Sequence, residues 1–503
     1  MLRRLLVNTS SNMAQLIVSM VVTFIMAPIY LKLMGHHDYG LREMVLALVG
    51  YMGMLDLGMR PTISRFASMH NARGERVSLL TVYSCSLVFM FFVGLVLSVF
   101  FVIWAFAFPE VLDPQDGEQA TKYMLFLLLI GAQLIFVFPK LVTESYLEGL
   151  QRYYFKNMVN IISTISIAVI AYFHMTPENG LVLLVGLVAI SQAIKLVIFG
   201  IVLLKPALGT IYPNLRYFSV EKLREMLSFG LKSFIQGAAG KVEKMSDRLV
   251  IGTILGPAMI PVYTIPATLV GYISSITMTL SHTFMPLFSD LSARGQQHRI
   301  KAIYLLASKL LVGLIIPMGV GICLIGGPFI GIWMEGQFDP VIVDAILVLL
   351  VTYTVVPMLN PFASRYLTAI NQHVIFAKVA PPAALVNLGL SIWLVLEYGV
   401  VGAALGSVLP VFVVMPLYLY VVCHNLEVSM LHYFRATILP AVIPVALMGG
   451  GLFWFRTTHG FEGYLDIVLS VLVSALVYSL VYWVFAMGRE DREVLLRLLP
   501  GRR

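Results

Sequence analysis

The chain has 503 residues, of which 59% are hydrophobic and 12% are charged, and its formal net charge is +8. A soluble globular protein carries about 25% charged residues, so a soluble chain of this composition would lack the polar surface to cover itself. The composition indicates a protein that folds in a lipid bilayer, where positive charge reports the orientation of loops rather than binding to nucleic acid. The three cysteines show no paired spacing, which argues against a disulfide framework or a metal site.

Apolar stretches of the roughly 20 residues needed to cross the hydrocarbon core recur along the whole chain. They predict an all-α polytopic membrane protein with about fourteen transmembrane helices, of which the first is retained rather than cleaved. The predicted spans are residues 11–33, 41–60, 78–108, 122–147, 155–175, 179–204, 227–256, 258–289, 302–330, 341–363, 375–396, 400–422, 436–455 and 464–487.

Lysine and arginine are concentrated in alternate loops. The segments on the side of the N-terminus hold 24 of them, whereas the opposite segments hold 3, which are Lys32, Lys122 and Arg456. Because cytoplasmic loops carry an excess of these residues, both termini are predicted to lie in the cytoplasm. An odd number of spans would break the alternation, so the bias also supports an even count.

Similar segments recur at an offset of 220 or 221 residues, at equivalent places in two blocks of six spans. The offset covers an even number of crossings, so the two copies have the same orientation and form a parallel repeat. The matching pairs are 146–152 with 366–372, Gly186 with Gly406, and Gly35 with Gly256.

The repeat predicts two six-helix lobes followed by two extra C-terminal helices. The predicted organisation is an N-lobe at 1–204, a cytoplasmic linker at 205–226, a C-lobe at 227–423, and a segment at 424–503 with the last two spans and a basic tail. Repeated lobes of this kind commonly enclose a central site and rock around it, although a duplicated scaffold without transport is the alternative.

Span 7 is unusually charged for a membrane helix. Lys241, Lys244 and Arg248 lie on one helical face, within about 60° of arc, and Glu243 and Asp247 form an i,i+4 pair on a neighbouring face. Ionisable groups at membrane depth are costly unless they face a cavity or a partner. The three cations predict a cavity face that holds an anion such as pyrophosphate. Internal neutralisation by the two carboxylates is the alternative.

Span 1 should occupy the equivalent place in the other lobe. Its polar residues Asn8, Asn12, Gln15 and Ser19 recur at intervals of three and four, which forms a single helical stripe. Hydrogen-bonding groups of this kind suit the hydroxyls of a sugar. Such residues also hold helices together within a membrane bundle, and this alternative stays open.

Several charged residues lie singly or in pairs inside other spans. Lys140 and Glu144 are spaced i,i+4 in span 4, where they can neutralise each other or take part in coupling. Lys195 and Lys309 lie within two or three turns of a cytoplasmic end, so snorkelling of the long side chain explains both.

Asp56 lies near the inner end of span 2. Two roles are open for a carboxylate at this depth: an ion pair with Arg60 or Arg65, or a site for a coupling cation.

The sequence contains no motif that indicates an enzyme. A phosphate-binding Walker loop, a glycine-rich dinucleotide turn and a zinc-binding pair of histidines are all missing, and the longest connection, 205–226, is too short for a catalytic domain. We therefore expect no cofactor and no bound metal. Transport would use an ion gradient, the membrane potential or the substrate gradient.

Four short motifs stand out in spans 1 to 12. They are Gly35–Leu41, Leu55–Gly58, Glu148–Arg152, and Asp247-Arg248 with Gly252, Gly256 and Tyr263. These motifs resemble those of Wzx-type polysaccharide flippases, in the multidrug/oligosaccharidyl-lipid/polysaccharide exporter superfamily.

This resemblance implies two six-helix lobes around a central cavity that opens alternately to each side. It implies movement of an undecaprenyl-pyrophosphate-linked oligosaccharide to the outer leaflet of the bacterial cytoplasmic membrane, with polysaccharide polymerases and glycosyltransferases as partners. Lys241, Lys244 and Arg248 would receive the pyrophosphate–sugar headgroup. Fourteen spans fit polysaccharide and lipid II flippases better than the twelve-span drug exporters.

Three alternatives remain. The chain could be a lipid II flippase of the same superfamily, or a cation-coupled multidrug exporter, whose cavity should be acidic rather than basic. A non-transporting scaffold of a polysaccharide assembly complex would have a closed bundle with the span 7 charges fully paired.

Overall fold

A computed structural model of the chain describes residues 2–107, 120–205, 210–281, 284–370, 372 and 374–488. Within these ranges the side chains of residues 2–6, 9, 232–233, 235–244 and 286 are not described. The described residues form helices joined by turns and loops, with no strand among them, which confirms the predicted all-α class.

Seventeen α-helices follow one another along the described residues, with short 3₁₀ or π segments at several ends. They are α1 (Leu2–Met52), α2 (Met59–Arg73), α3 (Arg76–Ala107), α4 (Ala120–Gly149), α5 (Tyr153–His174), α6 (Gly180–Leu203), α7 (Val220–Ile254), α8 (Ile260–Ser281), α9 (Phe284–Ala293), α10 (Gln297–Trp333), α11 (Pro340–Met358), α12 (Ala363–Ala369), α13 (Val374–Tyr398), α14 (Val400–Asn425), α15 (Met430–Tyr433), α16 (Leu439–Thr458) and α17 (Tyr464–Val481).

Twelve helical segments of the described chain are long and apolar enough to cross a membrane. Every predicted span except the seventh lies wholly or mostly within one of them. The eighth was predicted to reach residue 289, but its segment ends at Ser281. The segment Ser10–Asp56 contains the first two predicted spans. Helix α7 is not among the twelve, because its charged residues lower its hydropathy.

The chain divides into two compact units, Met1–Met245 and Ser246–Arg503, so the division falls inside α7. Each unit has its own apolar core. In unit 1 the core lies between α2, α3, α4 and α6, and it contains Tyr83 and Tyr146 packed edge to face at 5.3 Å between ring centres. In unit 2 it is built around Tyr304, Phe288 and Phe362, at the ends of α9, α10 and α12.

Two glycines at equivalent places in the predicted repeat have the same unusual backbone conformation. Gly35 interrupts α1 with φ 73° and ψ 170°, and Gly256 separates α7 from α8 with φ 90° and ψ 158°. This region of backbone space is essentially restricted to glycine. The agreement supports the repeat at an offset of 221 residues.

The segment after Gly35 is held to the start of α4. Asp38 is buried and forms an ion pair with Lys122, and the Tyr123 hydroxyl donates a hydrogen bond to the Asp38 carboxylate at 3.2 Å. The resembling motif Gly35–Leu41 therefore holds the kinked part of α1 to the start of α4.

Two other predicted spans also end earlier than expected. The second predicted span reaches residue 60, but the helix stops at Asp56, because Leu57 and Gly58 both adopt left-handed conformations. The tenth reaches residue 363, but α11 ends at Met358, before a break that contains Pro361. A proline disfavours helical geometry in the residue that precedes it.

A charged contact holds α16, the first of the last two membrane helices, to α10 and α11 within unit 2. Pro328 lies inside α10 and has no N–H, so the carbonyl of Leu324, four residues earlier, loses its helical partner. Arg456 of α16 donates to that carbonyl at 3.0 Å and also pairs with Asp344 of α11. One arginine thus satisfies the backbone group that the proline leaves unpaired and holds three helices together.

Candidate functional site

A buried carboxylate in unit 2 lies at the centre of a polar cluster inside the membrane-spanning helices. Asp247, near the end of α7, is 5% exposed. It accepts hydrogen bonds from the hydroxyls of Tyr263 in α8, Ser391 in α13 at 3.3 Å, and Ser407 in α14 at 3.1 Å. Four helices therefore converge on one acidic group.

The side-chain amide of Asn387 in α13 extends this cluster through Ser407. The Asn387 side-chain nitrogen donates to the Ser407 hydroxyl at 3.0 Å and to the Gly406 carbonyl at 3.4 Å. Its side-chain oxygen is buried and has no hydrogen-bond partner. Buried polar atoms are normally satisfied, so an unpaired oxygen beside a carboxylate marks a place that could receive a proton donor or a cation.

Close packing between α13 and α14 positions these groups. A side chain at Gly402 would overlap the Leu394 carbonyl at 2.0 Å, and one at Gly406 would lie 2.6 Å from the Ser391 backbone nitrogen. Small residues allow membrane helices to approach this closely. The two glycines bring Ser391 and Ser407 within reach of the same carboxylate.

The oxygen atoms of the cluster suit a small hard cation or a proton. Carboxylate, hydroxyl and amide oxygens are the ligands that hard cations prefer. As described, the hydroxyl protons stabilise the carboxylate, and a bound cation would take their place by rotation of the hydroxyls.

Of the three cations predicted on the basic face of span 7, Arg248 has a described side chain, which is partly buried. The predicted site residues Lys241, Glu243 and Lys244 lie outside the described side chains. The basic cavity face with Lys241 and Lys244, and the pairing or coupling role of Glu243, therefore stay predictions.

Two predicted binding residues of span 1 contact other parts of unit 1, Asn8 the turn between α4 and α5 and Asn12 the helix α5. Asn8 is buried and donates to the Gln151 carbonyl at 3.3 Å, and Asn12 accepts from the Asn157 amide at 2.5 Å. Gln15 is partly buried. The contacts of Asn8 and Asn12 correspond to the helix-packing alternative for the polar stripe.

The charged residues predicted as coupling groups or ion pairs in unit 1 have defined contacts. Lys140 and Glu144 are both buried and pair at 3.4 Å. Asp56 is buried and accepts a hydrogen bond from the Gly58 backbone N–H at 2.9 Å. No ion pair joins Asp56 to Arg60 or Arg65 in the part of the chain that is described.

The turn at Gly58 explains a second resembling motif. A side chain at Gly58 would lie 2.2 Å from the Gly230 carbonyl of α7, so glycine lets α7 approach the end of α1. Asp56 fixes the same turn by its hydrogen bond to Gly58. The contacts of this motif are those of a backbone turn.

An apolar groove of about 470 Å³ lies in unit 2, between the last two membrane helices and α8 and α10. Apolar side chains and a few hydroxyls line it. Representative lining residues are Leu269, Ile325, Phe329, Met448, Leu452 and Val471. Because α16 and α17 form one wall, the groove depends on the helices beyond the twelve of the predicted lobes.

Sequence reasoning found Asp247 and placed Tyr263 in the same resembling motif, but it missed the partners Ser391 and Ser407. Tyr263, Ser391 and Ser407 are 16, 144 and 160 residues away from it in the chain. One signal was available: Asn387 and Ser391 are spaced i,i+4 in an otherwise apolar span, which places two polar groups on one helical face.

Comparison with known proteins identifies related families. The family model described as "Polysaccharide biosynthesis protein" matches residues 5–292, which is more than half of the chain. The model described as "Lipid II flippase MurJ" matches residues 260–474.

A curated relative and several solved structures are similar to the chain. The "Probable low-salt glycan biosynthesis flippase Agl15" of Haloferax volcanii is 22% identical over 316 residues, which is 63% of this chain and 66% of the relative, slightly less than two thirds of its length. The inward closed lipid II flippase MurJ is 17% identical, with a TM-score of 0.68 over 94% of this chain and 98% of that one. An inward-facing multidrug resistance MATE transporter of the MOP superfamily is 13% identical, with a TM-score of 0.67 over 81% and 96%.

The two solved structures share the fold of this chain, and the family match extends over its first unit and into the second. The protein is a multi-pass membrane protein, and it belongs to the polysaccharide biosynthesis protein family.

Proposed function

We propose that the protein is a flippase that moves a polyprenyl-pyrophosphate-linked oligosaccharide from the inner to the outer leaflet by alternating access. Family membership favours a role in polysaccharide biosynthesis, and the Haloferax relative is named a probable glycan biosynthesis flippase. The apolar groove beside α16 and α17 is the observation that carries the choice of a lipid-linked substrate.

The groove fits the isoprenoid part of such a substrate. A polyprenyl chain is apolar along its whole length, so it can pack against the apolar groove by van der Waals contact, which is the attraction available between apolar surfaces inside a bilayer. A water-soluble cationic drug needs no such surface. The groove lies wholly within unit 2 and is closed on one side by helices that a twelve-span exporter lacks.

The headgroup would bind the basic face of α7. Lys241, Lys244 and Arg248 present three cations within two turns, and a pyrophosphate accepts both point charges and a bidentate guanidinium. Asp247 and its hydroxyl partners are our proposed site for coupling to a proton or a small cation. The charge bias of the loops supports termini on the cytoplasmic side.

A lipid II flippase is the second candidate. It is favoured by the MurJ model, which matches residues 260–474, and by the MurJ fold. Both candidates carry a polyprenyl-pyrophosphate anchor and differ in the attached glycan, so the glycan that accumulates without the protein separates them.

A deletion strain tests both candidates. We expect the lipid-linked oligosaccharide to accumulate in the inner leaflet, where an impermeant oxidant or glycan-cleaving enzyme cannot reach it. Accumulation of lipid II instead would favour the second candidate. Unchanged delivery to the outer leaflet, in a strain without a redundant carrier, would refute transport of either lipid.

Complementation tests the basic face. We expect the triple variant Lys241→Ala, Lys244→Ala and Arg248→Ala to fail, because the pyrophosphate would lose its charge partners. The matched control is Arg224→Ala, which removes an exposed cation from the first turns of the same helix. Equal rescue by the triple variant and the control would contradict the proposed headgroup site.

A further inference from the structure

A second groove lies between α5 and α6 in unit 1 and encloses about 210 Å³. Its walls are formed mainly by isoleucines. Three of these side chains, Ile162, Ile190 and Ile194, are 56%, 59% and 52% exposed. In a membrane-spanning helix an exposed aliphatic face contacts lipid, so the groove opens to the hydrocarbon chains of the bilayer.

Polar groups lie among these aliphatic walls. The lining includes Lys195 and Ser191 of α6 and Ser163 and Ser166 of α5. The Ser163 and Ser191 hydroxyls are hydrogen-bonded to each other at 2.5 Å. A groove with an ammonium group, several hydroxyls and a long apolar wall matches a molecule with an anionic head and an aliphatic chain.

The positive charge of Lys195 is not neutralised by the protein. Its charged neighbours are Lys140 and Glu144, both on α4. Glu144 already pairs with Lys140 at 3.4 Å, and Lys195 forms no ion pair of its own among the described residues. Two cations beside one carboxylate leave one positive charge, which is costly at membrane depth without an anionic partner.

Snorkelling toward the nearer membrane surface does not account for this lysine. Lys195 lies eight residues before Leu203, the last residue of α6, which corresponds to about 12 Å along the helix. Helical side chains tilt toward the N-terminus of their helix, and here that direction leads away from the Leu203 end. A bound anion would instead neutralise the Lys195 ammonium at membrane depth and so lower the free-energy cost of its charge there.

We propose that this groove binds one phosphate-bearing phospholipid of the surrounding membrane. Its phosphate contacts the Lys195 ammonium and the serine hydroxyls, and an acyl chain lies along the isoleucine wall. Charge complementarity selects an anionic headgroup, and the apolar wall selects a lipid rather than free phosphate. None of its lining residues is among those assigned to transport.

Lipid binding to the purified full-length protein tests the proposal. Delipidated protein is titrated with dioleoylphosphatidylglycerol or dioleoylphosphatidylcholine, and native mass spectrometry counts the bound molecules. We expect one tight phosphatidylglycerol site. Lys195→Met should weaken it about tenfold or more, which corresponds to about 1.4 kcal/mol or more, because the phosphate loses its charged hydrogen-bond donor. Lys195→Arg should retain it.

Two further variants keep the test decisive. Lys309→Met removes the other lysine that lies within a few turns of a helix end, in unit 2, and should bind phosphatidylglycerol like the wild type. Ile194→Trp fills the groove from an exposed position without removing charge, and should lose the lipid even if Lys195→Met fails to fold.

Three results would overturn the proposal. They are equal binding of the zwitterionic and anionic lipids, wild-type binding by both Lys195→Met and Ile194→Trp, and preferential binding of undecaprenyl phosphate, which would assign the groove to the lipid carrier. Binding is measured without transport, so failure here leaves the proposed flippase function untouched.

Discussion

Substitution of Gly406 by alanine should separate α13 from α14 at the Asp247 cluster. The added methyl group would lie 2.6 Å from both the backbone nitrogen and the hydroxyl of Ser391, whereas ordinary contact begins at 3.4 Å. The shortfall is about 0.8 Å. Because one of the two atoms belongs to the backbone, rotation of a side chain cannot relieve the overlap, and α13 must move.

A matched substitution isolates the cost of that movement. Gly389→Ala lies in α13, inside a helix like Gly406, and a side chain there meets nothing within 4 Å. Both variants gain the same helical preference of alanine over glycine, about 1 kcal/mol, so this contribution cancels. Overpacking remains and costs about 1–3 kcal/mol, which is the expected loss of stability of Gly406→Ala relative to Gly389→Ala.

Thermal unfolding in detergent measures the difference. Cys85 and Cys423 are free and buried, so a thiol-reactive fluorophore reports the loss of structure without added labels. We expect Gly406→Ala to unfold at a clearly lower temperature than Gly389→Ala. Equal unfolding temperatures would mean that α13 and α14 do not approach as closely as described, and the geometry around Asp247 would then be wrong.

Three further predictions concern charged groups. Asp247→Asn keeps the shape of the side chain and removes its charge, so flipping should lose its dependence on the coupling cation in proteoliposomes; retention of that dependence would exclude Asp247 as the coupling site. Arg456→Gln leaves the partly buried Asp344 carboxylate without its cation and should cost about 1.5–3 kcal/mol in thermal unfolding, the contribution of a hydrogen bond to a charged group, whereas the double variant with Asp344→Asn should recover part of the loss; no recovery would contradict the pairing. The hydrogen bond with His70 holds the pKa of Glu75 below its usual 4.5, so its stabilising contribution is present above pH 4.5 and disappears as the pH falls through the lowered value. Glu75→Gln should therefore remove this acid-dependent part of the melting curve, and an unchanged pH profile would refute the pair.

Much of the fold could be predicted from apolar length alone, because each span is longer than any connection next to it. Helix α7 was the instructive exception: residue pattern and position predicted it, although its charges exclude it by hydropathy. The turn at Leu57 and Gly58 was predicted as part of span 2, although Gly58 followed by Pro61 is a signal for the end of a helix. The left-handed pair is stabilised by the Asp56 contact and by the approach of α7.

The candidate site was less predictable for a physical reason. A charged residue in an apolar span stands out because its burial is expensive, so Asp247 was found. Its partners carry single hydroxyls on three other helices, and isolated serines and tyrosines are common in membrane helices. Which of them meet depends on helix packing at Gly402 and Gly406, and local sequence does not encode that registration.

The paired conformations of Gly35 and Gly256 bear on how the duplication can be traced. A residue with a side chain would cost about 1–3 kcal/mol in this region of backbone space, so neither glycine can change without a penalty in folding. Lipid-facing positions, by contrast, accept any aliphatic residue and diverge freely. Ancestral halves of such proteins are therefore best aligned on the few glycines that the backbone itself requires, because these retain the record of duplication after the surrounding side chains have lost it.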